Sequence, residues 1–188
     1  MKIAFLVYDG MTLLDFAGFY DPVTRLKTMG FVPDLEYAVC ARKNIIKSFE
    51  GAVLTPDVAG GGLNAYDYIF IPGGRGIQAL LGDATFLEWI RSVSPAAVKT
   101  AVCGGVLALG AAGLLNGRKA TTHPNHMQQL KRFAKEVSAE RVVEDGDIIT
   151  AGGVTSAIDL GLYVCERIAG KEARERIQAQ MDYRAYPY

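Results

Sequence analysis

Cys103 has the sequence surroundings of a reactive cysteine. A mostly apolar run, Thr100–Val102, leads into it, two glycines follow, and Val106–Leu109 then has the pattern of a helix. This order predicts a strand, a tight turn and a helix, the arrangement that presents the serine nucleophile of many hydrolases. The amino terminus of a helix supplies partial positive charge and free backbone N–H groups. We therefore expect Cys103 to be an exposed nucleophile that favours its thiolate form.

Asp15 is the second candidate for chemistry. It lies between the apolar residues Leu14 and Phe16, shortly after the first predicted strand. Apolar surroundings raise the pKa of a carboxyl group because they disfavour its charged form. Such a group can hold or pass a proton near neutral pH. A capping role at the start of a helix is the alternative interpretation of the same residue.

Glycines follow another predicted strand, in the segment Ile71-Pro72-Gly73-Gly74-Arg75-Gly76. Glycine permits positive φ and a close approach of the backbone to a ligand. The N–H groups of this loop, with that of Gly104, can form an oxyanion hole beside the cysteine; a simple tight turn is the alternative. Neither the Walker A pattern nor the dinucleotide fingerprint is present, and no cofactor is expected.

The two histidines, His123 and His126, are three residues apart. His123 can assist the cysteine as a thiolate–imidazole pair, and a purely structural role is the alternative. His126 is expected to face solvent. No cysteine or acid lies close to either histidine in sequence, so no metal site is predicted.

Composition excludes several classes of function. The formal net charge is zero, which gives no electrostatic footprint for nucleic acid or an anionic membrane. No apolar stretch approaches the roughly 20 residues of a membrane span, and the short apolar run at the N-terminus does not resemble a signal peptide. The three cysteines without a secretion signal argue against disulfides, and we expect a cytoplasmic protein with Cys40 and Cys165 in its core.

Strand-length apolar runs alternate with helix-length amphipathic segments along the chain. This alternation predicts one α/β domain over residues 1–188, with a mostly parallel sheet covered on both faces. Sites in such sheets lie at the carboxyl ends of strands, where Asp9-Gly10, Gly73-Gly74 and Cys103-Gly104 are expected to meet. The predicted strands are 3–8, 35–41, 52–55, 66–71, 97–102, 119–122, 141–144 and 148–151, and the helices are 13–29 with a break near Pro22, 86–93, 106–115, 125–136, 155–169 and 171–181.

Together these features resemble the ThiJ/PfpI superfamily of class I glutamine amidotransferase-like proteins. The resemblance covers nearly the whole chain and implies a flavodoxin-like three-layer sandwich, a cysteine nucleophile elbow and a homodimer. It also implies an acid from the first loop, matched by Asp15, and oxyanion contacts from the backbone of Gly74 and Gly104. The motifs that carry it are Asp9-Gly10, Leu14-Asp15, Ile71-Pro72-Gly73-Gly74, Val102-Cys103-Gly104-Gly105, Ala120-Thr121-Thr122-His123 and Thr150-Ala151-Gly152-Gly153-Val154-Thr155-Ser156.

Individual positions indicate a branch of the superfamily. Peptidase-like members have histidine directly after the cysteine, where this sequence has Gly104, so protease activity is not expected. The deglycase and glyoxalase branch usually has glutamate in place of Asp15. The aspartate and the segments 111–117 and 152–155, with Thr155 as an auxiliary residue, are more similar to isocyanide hydratases and to the amino-terminal domains of some AraC-type regulators. The hydratases commonly have threonine where this sequence has Gly104, which alters the hydrogen bonding available there.

Three functions remain open from the sequence. The first is a hydro-lyase that adds water to a small electrophile such as an isocyanide, with Cys103 as nucleophile and Asp15 as proton donor. The second is action on methylglyoxal-like carbonyls by the same two residues. The third is a non-catalytic redox-sensing or ligand-binding role for Cys103. The tyrosine-rich end, 181–188, either packs on its own domain or crosses to a partner subunit.

Overall fold

A seven-stranded sheet forms the centre of the structure, a computed structural model that describes residues 1–184. Neighbouring strands are parallel except at one edge, where β10 runs antiparallel to β11. Residues 185–188 of the tyrosine-rich end lie outside the described part. In sheet order the strands are β10 (Val142–Asp145), β11 (Ile148–Ala151), β7 (Val98–Val102), β6 (Tyr68–Ile71), β1 (Lys2–Leu6), β2 (Glu36–Ala41) and β5 (Val58–Ala59).

Helices cover the sheet in two groups. Helices α1 (Leu13–Thr28) and α6 (Ser156–Gln180) pack against each other. In the other group α4 (Gly105–Ala111) contacts α2 (Ile77–Leu80), α3 (Ala84–Arg91) and α5 (Met127–Leu130). This is the predicted flavodoxin-like three-layer sandwich. Two small pairs of strands accompany it, an antiparallel hairpin of β3 (Ile46–Lys47) and β4 (Val53–Leu54), and a parallel pair of β8 (Lys119–Ala120) and β9 (Glu136–Val137).

Helix α1 continues through Pro22, so the predicted break at this residue is wrong. An interior proline disfavours a helix by about 3 kcal/mol, and close packing against α6 offsets this cost. A β-carbon at Gly161 would lie 2.5 Å from Pro22 Cγ, and one at Gly18 would lie 3.0 Å from Ala157 Cβ. Glycines at both contacts therefore bring the two helices together. The break predicted at residue 170 is correct, because Gly170 has φ 85°.

The predicted helix 125–136 is also wrong. A 3₁₀ turn at Pro124–His126 leads into the four residues of α5, and β9 follows. The backbone N–H groups of Lys135 and Ser138 donate to the carbonyls of Arg118 and Ala120. This pairing with the β8 segment withdraws the end of the predicted helix from helical hydrogen bonding.

The loops that follow β1 and β6 are joined to each other by backbone hydrogen bonds. Thr12 N–H donates to Gly73 O at 2.9 Å, and Gly76 N–H donates to Gly10 O at 3.0 Å. Strands β1, β6 and β7 are neighbours, and the sheet order reverses between β1 and β6, which is where ligands bind in such folds. Among residues 1–184, none of the helices has both the length and the apolar character needed to cross a bilayer.

Candidate active site

Cys103 forms a strained elbow between β7 and α4. Its φ of 55° lies in the left-handed region, which residues other than glycine rarely adopt. The surrounding backbone holds this conformation: Cys103 N–H donates to Ala151 O and Gly152 O at 3.1 and 2.8 Å. On the other side, Thr122 Oγ1 donates to Cys103 O at 2.6 Å. A strained residue kept in place by its neighbours is typical of a functional position.

The glycine at position 105 lets the elbow approach the neighbouring strand. A β-carbon there would lie 2.4 Å from Ile71 O and 2.5 Å from Pro72 O, closer than atoms can approach without contact strain. Any other residue would push the start of α4 away from the end of β6. The second glycine after the cysteine therefore sets the position of the nucleophile.

Asp15 lies in the first turn of α1 and is fully buried. Its Oδ2 atom accepts a 2.8 Å hydrogen bond from the N–H of Gly73, while Oδ1 has no partner among the described residues. A β-carbon on Gly73 would lie 2.7 Å from Asp15 Oδ2 and 2.7 Å from Cys103 Cβ. The backbone of Gly73 therefore lies beside both the acid and the cysteine. The Cys103 thiol also forms a hydrogen bond with the Asp15 carboxyl.

Burial raises the pKa of the Asp15 carboxyl to about 7, although hydrogen bonds from Gly73 and the Cys103 thiol oppose this. The negative charge of Glu50 adds a smaller upward contribution. The carboxyl is therefore divided between its two protonation states at neutral pH. This is the proton-holding behaviour that the apolar neighbours of Asp15 predict.

The thiolate predicted for Cys103 is wrong for the resting state. Burial first, and then the negative charge of Asp15, raise the pKa of the Cys103 thiol to about 12, against an opposing N–H from Gly104. The side chain is also buried, with 7% of its surface exposed, rather than projecting into solvent. Position at a helix start does not overcome loss of hydration here. The resting pair is a thiol beside a carboxyl that exchanges protons at neutral pH.

The two predicted oxyanion residues are Gly104 and Gly74. The N–H of Gly104 points at the Cys103 sulfur, where it favours negative charge. A β-carbon on Gly104 would lie 3.8 Å from Gly74 O, a carbonyl oxygen, so the oxyanion role of the Gly74 N–H stays a prediction. The same β-carbon would also lie 3.5 Å from Nε2 of His126, a half-buried side chain. The prediction that His126 faces solvent is therefore wrong.

His123 and Thr155 make local contacts, and their auxiliary role beside Cys103 stays a prediction. Nδ1 of His123 accepts from the N–H of Asn125 at 3.1 Å, and its ring packs against Gly153. Thr155 is exposed at the start of α6, and its hydroxyl accepts from Arg141 at 3.2 Å. Both side chains cap or support local structure. Over residues 1–184, no three His, Cys, Asp or Glu side chains group as a metal site would require.

For four further residues near the elbow or in the core, the structure confirms two predictions and adds two contacts that were not predicted. Cys40 and Cys165 are buried in the core, as predicted. The hydroxyl of Thr122, which donates to the carbonyl of the elbow, was not predicted as a site residue. Tyr8 was missed as well; it is buried, donates to Pro72 O at 2.7 Å, and has its pKa raised by burial and then by Asp15 and Cys103. Its position directly after β1, at the same edge as Cys103, is the signal that could have identified it.

Comparison with known proteins decides the family. The model of the DJ-1/PfpI family matches residues 1–167. The chain belongs to the DJ-1/PfpI family. Within that family, isonitrile hydratase from Pseudomonas putida is 33% identical over 189 residues, which cover 100% of this chain and 80% of the hydratase. Protein DJ-1alpha of Drosophila melanogaster is 30% identical over 161 residues, covering 83% of this chain and 70% of that protein.

Solved structures of DJ-1/PfpI proteins have the same fold. A ThiJ/PfpI family protein from Pseudomonas syringae superposes with a TM-score of 0.88 at 33% identity, covering 99% of this chain and 76% of that one. DJ-1beta of Drosophila melanogaster superposes with a TM-score of 0.82 at 22% identity, covering 98% of each chain. The second likeness concerns the fold alone. The first supports family membership at the level of sequence as well.

Proposed function

We propose that this DJ-1/PfpI protein is a cysteine-dependent hydro-lyase that adds water to a small isocyanide and releases an N-substituted formamide. The observation that carries the proposal is the buried pairing of Cys103 with Asp15, whose pKa of about 7 suits it to give and take protons at neutral pH. Similarity to the isonitrile hydratase of Pseudomonas putida, at 33% identity over the whole chain, supports the same choice.

The first half of the reaction joins the substrate to Cys103. The proton of the Asp15 carboxyl moves to the terminal carbon of the isocyanide while the sulfur forms a bond to that carbon. The thiol proton passes to the carboxylate left behind, so Asp15 ends the step protonated. The N–H of Gly104 stabilises negative charge that develops on the sulfur. The product is a thioimidate, R–N=CH–S, attached to Cys103.

The second half releases the product. Water adds to the thioimidate carbon, the carbon–nitrogen double bond becomes single, and the nitrogen takes the proton of Asp15. The Asp15 carboxylate accepts one proton from the attacking water. The carbon–sulfur bond then breaks as the carbonyl forms, and the hydroxyl proton moves to the sulfur. The formamide leaves, and Cys103 and Asp15 have regained their protons.

The buried thiol supports catalysis over redox sensing. Cysteines that oxidise selectively are accessible and have a lowered pKa, because the thiolate is the reactive form. Cys103 has the opposite properties, since burial raises the pKa of its thiol to about 12 and leaves 7% of its surface exposed. A neighbouring acid that moves protons is needed for such a thiol to react.

A paired turnover assay tests the proposal. Wild-type protein and Cys103→Ala are each mixed with an aryl isocyanide and, separately, with methylglyoxal, and formamide and lactate are quantified. We expect formamide from the wild type only. Lactate that depends on Cys103, without formamide, would instead establish the carbonyl alternative, and formamide at equal rates from both proteins would exclude Cys103 as the nucleophile.

A further inference from the structure

A cavity of about 450 Å³ lies at the edge of the sheet where β1, β2 and β6 end. It is bounded by residues 7–9 after β1, by residues 42, 43 and 46 after β2, and by residues 76, 79 and 80 after β6, and the start of α3 closes the remaining side. The sheet order reverses between β1 and β6, where folds of this class bind ligands. The volume is that of a small-molecule site.

The cavity is separate from the site around Cys103. Of the described residues that border it, neither is Cys103 one nor is Asp15. Tyr8 connects the two places, because it borders the cavity and its hydroxyl donates to Pro72 O at 2.7 Å, next to the Gly73 that binds Asp15. The proposed reaction therefore leaves this cavity unused.

The inner wall of the cavity is apolar. Val7, Ile46 and Phe86 are buried there, and Leu80 is half-buried. The ring of Phe86 packs edge-on against the ring of Tyr8, with their centroids 5.9 Å apart. Aliphatic and aromatic side chains of this kind accept an apolar group of a ligand.

Two charged side chains at the cavity have hydrogen-bonding capacity left. The guanidinium of Arg42 has five N–H donors, and within residues 1–184 its hydrogen bond is the one from Nη1 to Thr85 O at 3.0 Å. The hydrogen bonds that Asp83 accepts from Thr85 and Phe86 all reach Oδ1, which leaves Oδ2 open. These hydrogen bonds, and then the charge of Arg42, hold the pKa of Asp83 below its usual range, so an open cation lies near an open anion.

The other two charged groups that border the cavity are paired with each other. Lys43 Nζ lies 2.6 Å from Asp9 Oδ2, and Asp9 Oδ1 accepts from the N–H of Lys47 at 2.9 Å. Arg42 and Asp83 therefore remain as one positive and one negative group beside an apolar wall. This balance is complementary to a zwitterion with an apolar body, and not to a plain anion or a plain cation.

We propose that this cavity binds an α-amino acid with a large apolar side chain. The carboxylate of the ligand accepts from Arg42, whose planar fork of donors suits a carboxylate. The ammonium group donates to Oδ2 of Asp83, and the apolar side chain lies against Phe86 and Tyr8. The inference is independent of the proposed function, because binding forms and breaks no covalent bond and does not involve Cys103.

Calorimetric titration with L-phenylalanine tests the proposal. We expect saturable binding to the wild type at one site per chain. Phenylpropionate lacks the ammonium group, phenethylamine lacks the carboxylate and L-alanine lacks the large side chain, so each should bind about tenfold or more weakly. Absence of saturable phenylalanine binding would overturn the proposal, and so would any of the three other compounds binding as tightly as phenylalanine.

Variants of the cavity then locate the ligand. Arg42→Gln and Asp83→Asn should each weaken phenylalanine binding about tenfold or more, and an asparagine at this position can still cap α3. Arg75→Gln and Asp21→Asn, which change an arginine and an aspartate outside the cavity, are the matched controls and should bind as the wild type does. Ala79→Trp fills the cavity from an exposed position and should abolish binding.

The same titration separates this cavity from the reactive site. Cys103→Ala should bind phenylalanine as tightly as the wild type, whether or not the protein hydrates isocyanides. Binding lost in Cys103→Ala would place the ligand at the reactive site and overturn the proposal. Binding unchanged in Ala79→Trp, or in either Arg42→Gln or Asp83→Asn, would overturn it as well.

Discussion

The carboxyl oxygen Oδ2 of Asp15 accepts a 2.8 Å hydrogen bond from the backbone N–H of Gly73. This bond ties α1 to the loop after β6 and places the acid beside the Cys103 elbow. One N–H does not compensate for the water that the carboxylate loses on burial, so its pKa rises to about 7. The proposed reaction depends on that balance, because it needs an acid that still holds a proton at neutral pH.

Replacing the acid by its amide should disable turnover without disturbing the site. Asp15→Asn retains an oxygen that can accept from Gly73 but cannot transfer a proton. We expect the turnover number with an aryl isocyanide to fall by about 10²–10⁴-fold, the usual contribution of a positioned proton donor. Asp21→Asn, on the exposed side of the same helix, is the matched control. Full activity in Asp15→Asn would exclude the acid from the mechanism.

The same acid should set the alkaline limit of activity. The first step requires protonated Asp15, and the groups that act on its pKa are the Gly73 N–H, the Cys103 thiol and the Glu50 carboxylate. Because the pKa is about 7, we expect kcat/KM to decline as the pH rises through about 7. A pH profile of kcat/KM checks this. A rate that rose towards pH 9 would indicate instead that the thiolate of Cys103 limits the reaction.

The free energy of unfolding should also depend on the protonation of Asp15. Like kcat/KM, it should decrease as the pH rises through the pKa of this carboxyl. The pKa of Asp15 is raised from 3.8 to about 7, so the folded state holds a proton that the unfolded state releases. Its contribution is therefore fully present below about pH 4 and is lost as the pH rises through about 7, with a maximum loss of about 4 kcal/mol. Urea unfolding at several pH values measures this. We expect Asp15→Asn to lack this part of the pH dependence; identical profiles for the two proteins would contradict it.

Two adjacent threonines offer a test of the elbow. Thr122 Oγ1 donates to Cys103 O at 2.6 Å, whereas the buried hydroxyl of Thr121 has no partner among the residues described. We expect Thr122→Val to lower the free energy of unfolding by about 1 kcal/mol and to reduce turnover, because the strained cysteine loses a support. Thr121→Val, the matched control, should be neutral or slightly stabilising. Equal effects in the two variants would mean that the Thr122 bond does not support the elbow.

The position of the Cys103 elbow could be predicted from the sequence alone. A strand followed by Cys103 and two glycines can adopt few local backbone conformations, and the structure has the expected elbow. The carboxyl ends of parallel strands share one edge of the sheet, so the loops with Asp9-Gly10 and Gly73-Gly74 were expected near Cys103. These inferences depend on local pattern and on a general property of parallel sheets, and both are independent of side-chain detail.

The chemistry of the site could not be predicted in the same way. The protonation of Cys103 depends on burial by segments that are distant in sequence, and local pattern gave the wrong direction. The half-buried position of His126 was not predicted, because a 3₁₀ turn and a short helix replace the predicted helix 125–136. His123 belongs to a motif on which the family resemblance rests, so the sequence indicated His123 rather than His126 as the histidine of the site. Tertiary contacts decided each of these points.

The homodimer and the cytoplasmic location implied by the sequence remain predictions. The relatives of this chain include both an isonitrile hydratase and a DJ-1 protein. The fold therefore does not choose among functions, and the choice rests on the residues of the site.

The central claim is that Cys103 forms a covalent thioimidate with an isocyanide. It is tested most directly by mixing wild-type protein with an aryl isocyanide, quenching within the first turnover, and mapping the modified peptide by mass spectrometry. We predict a mass increase equal to that of the isocyanide on the peptide that contains Cys103, retained in Cys40→Ala and absent in Cys103→Ala. Formamide production with no adduct on Cys103, or with the adduct on another residue, would contradict the claim.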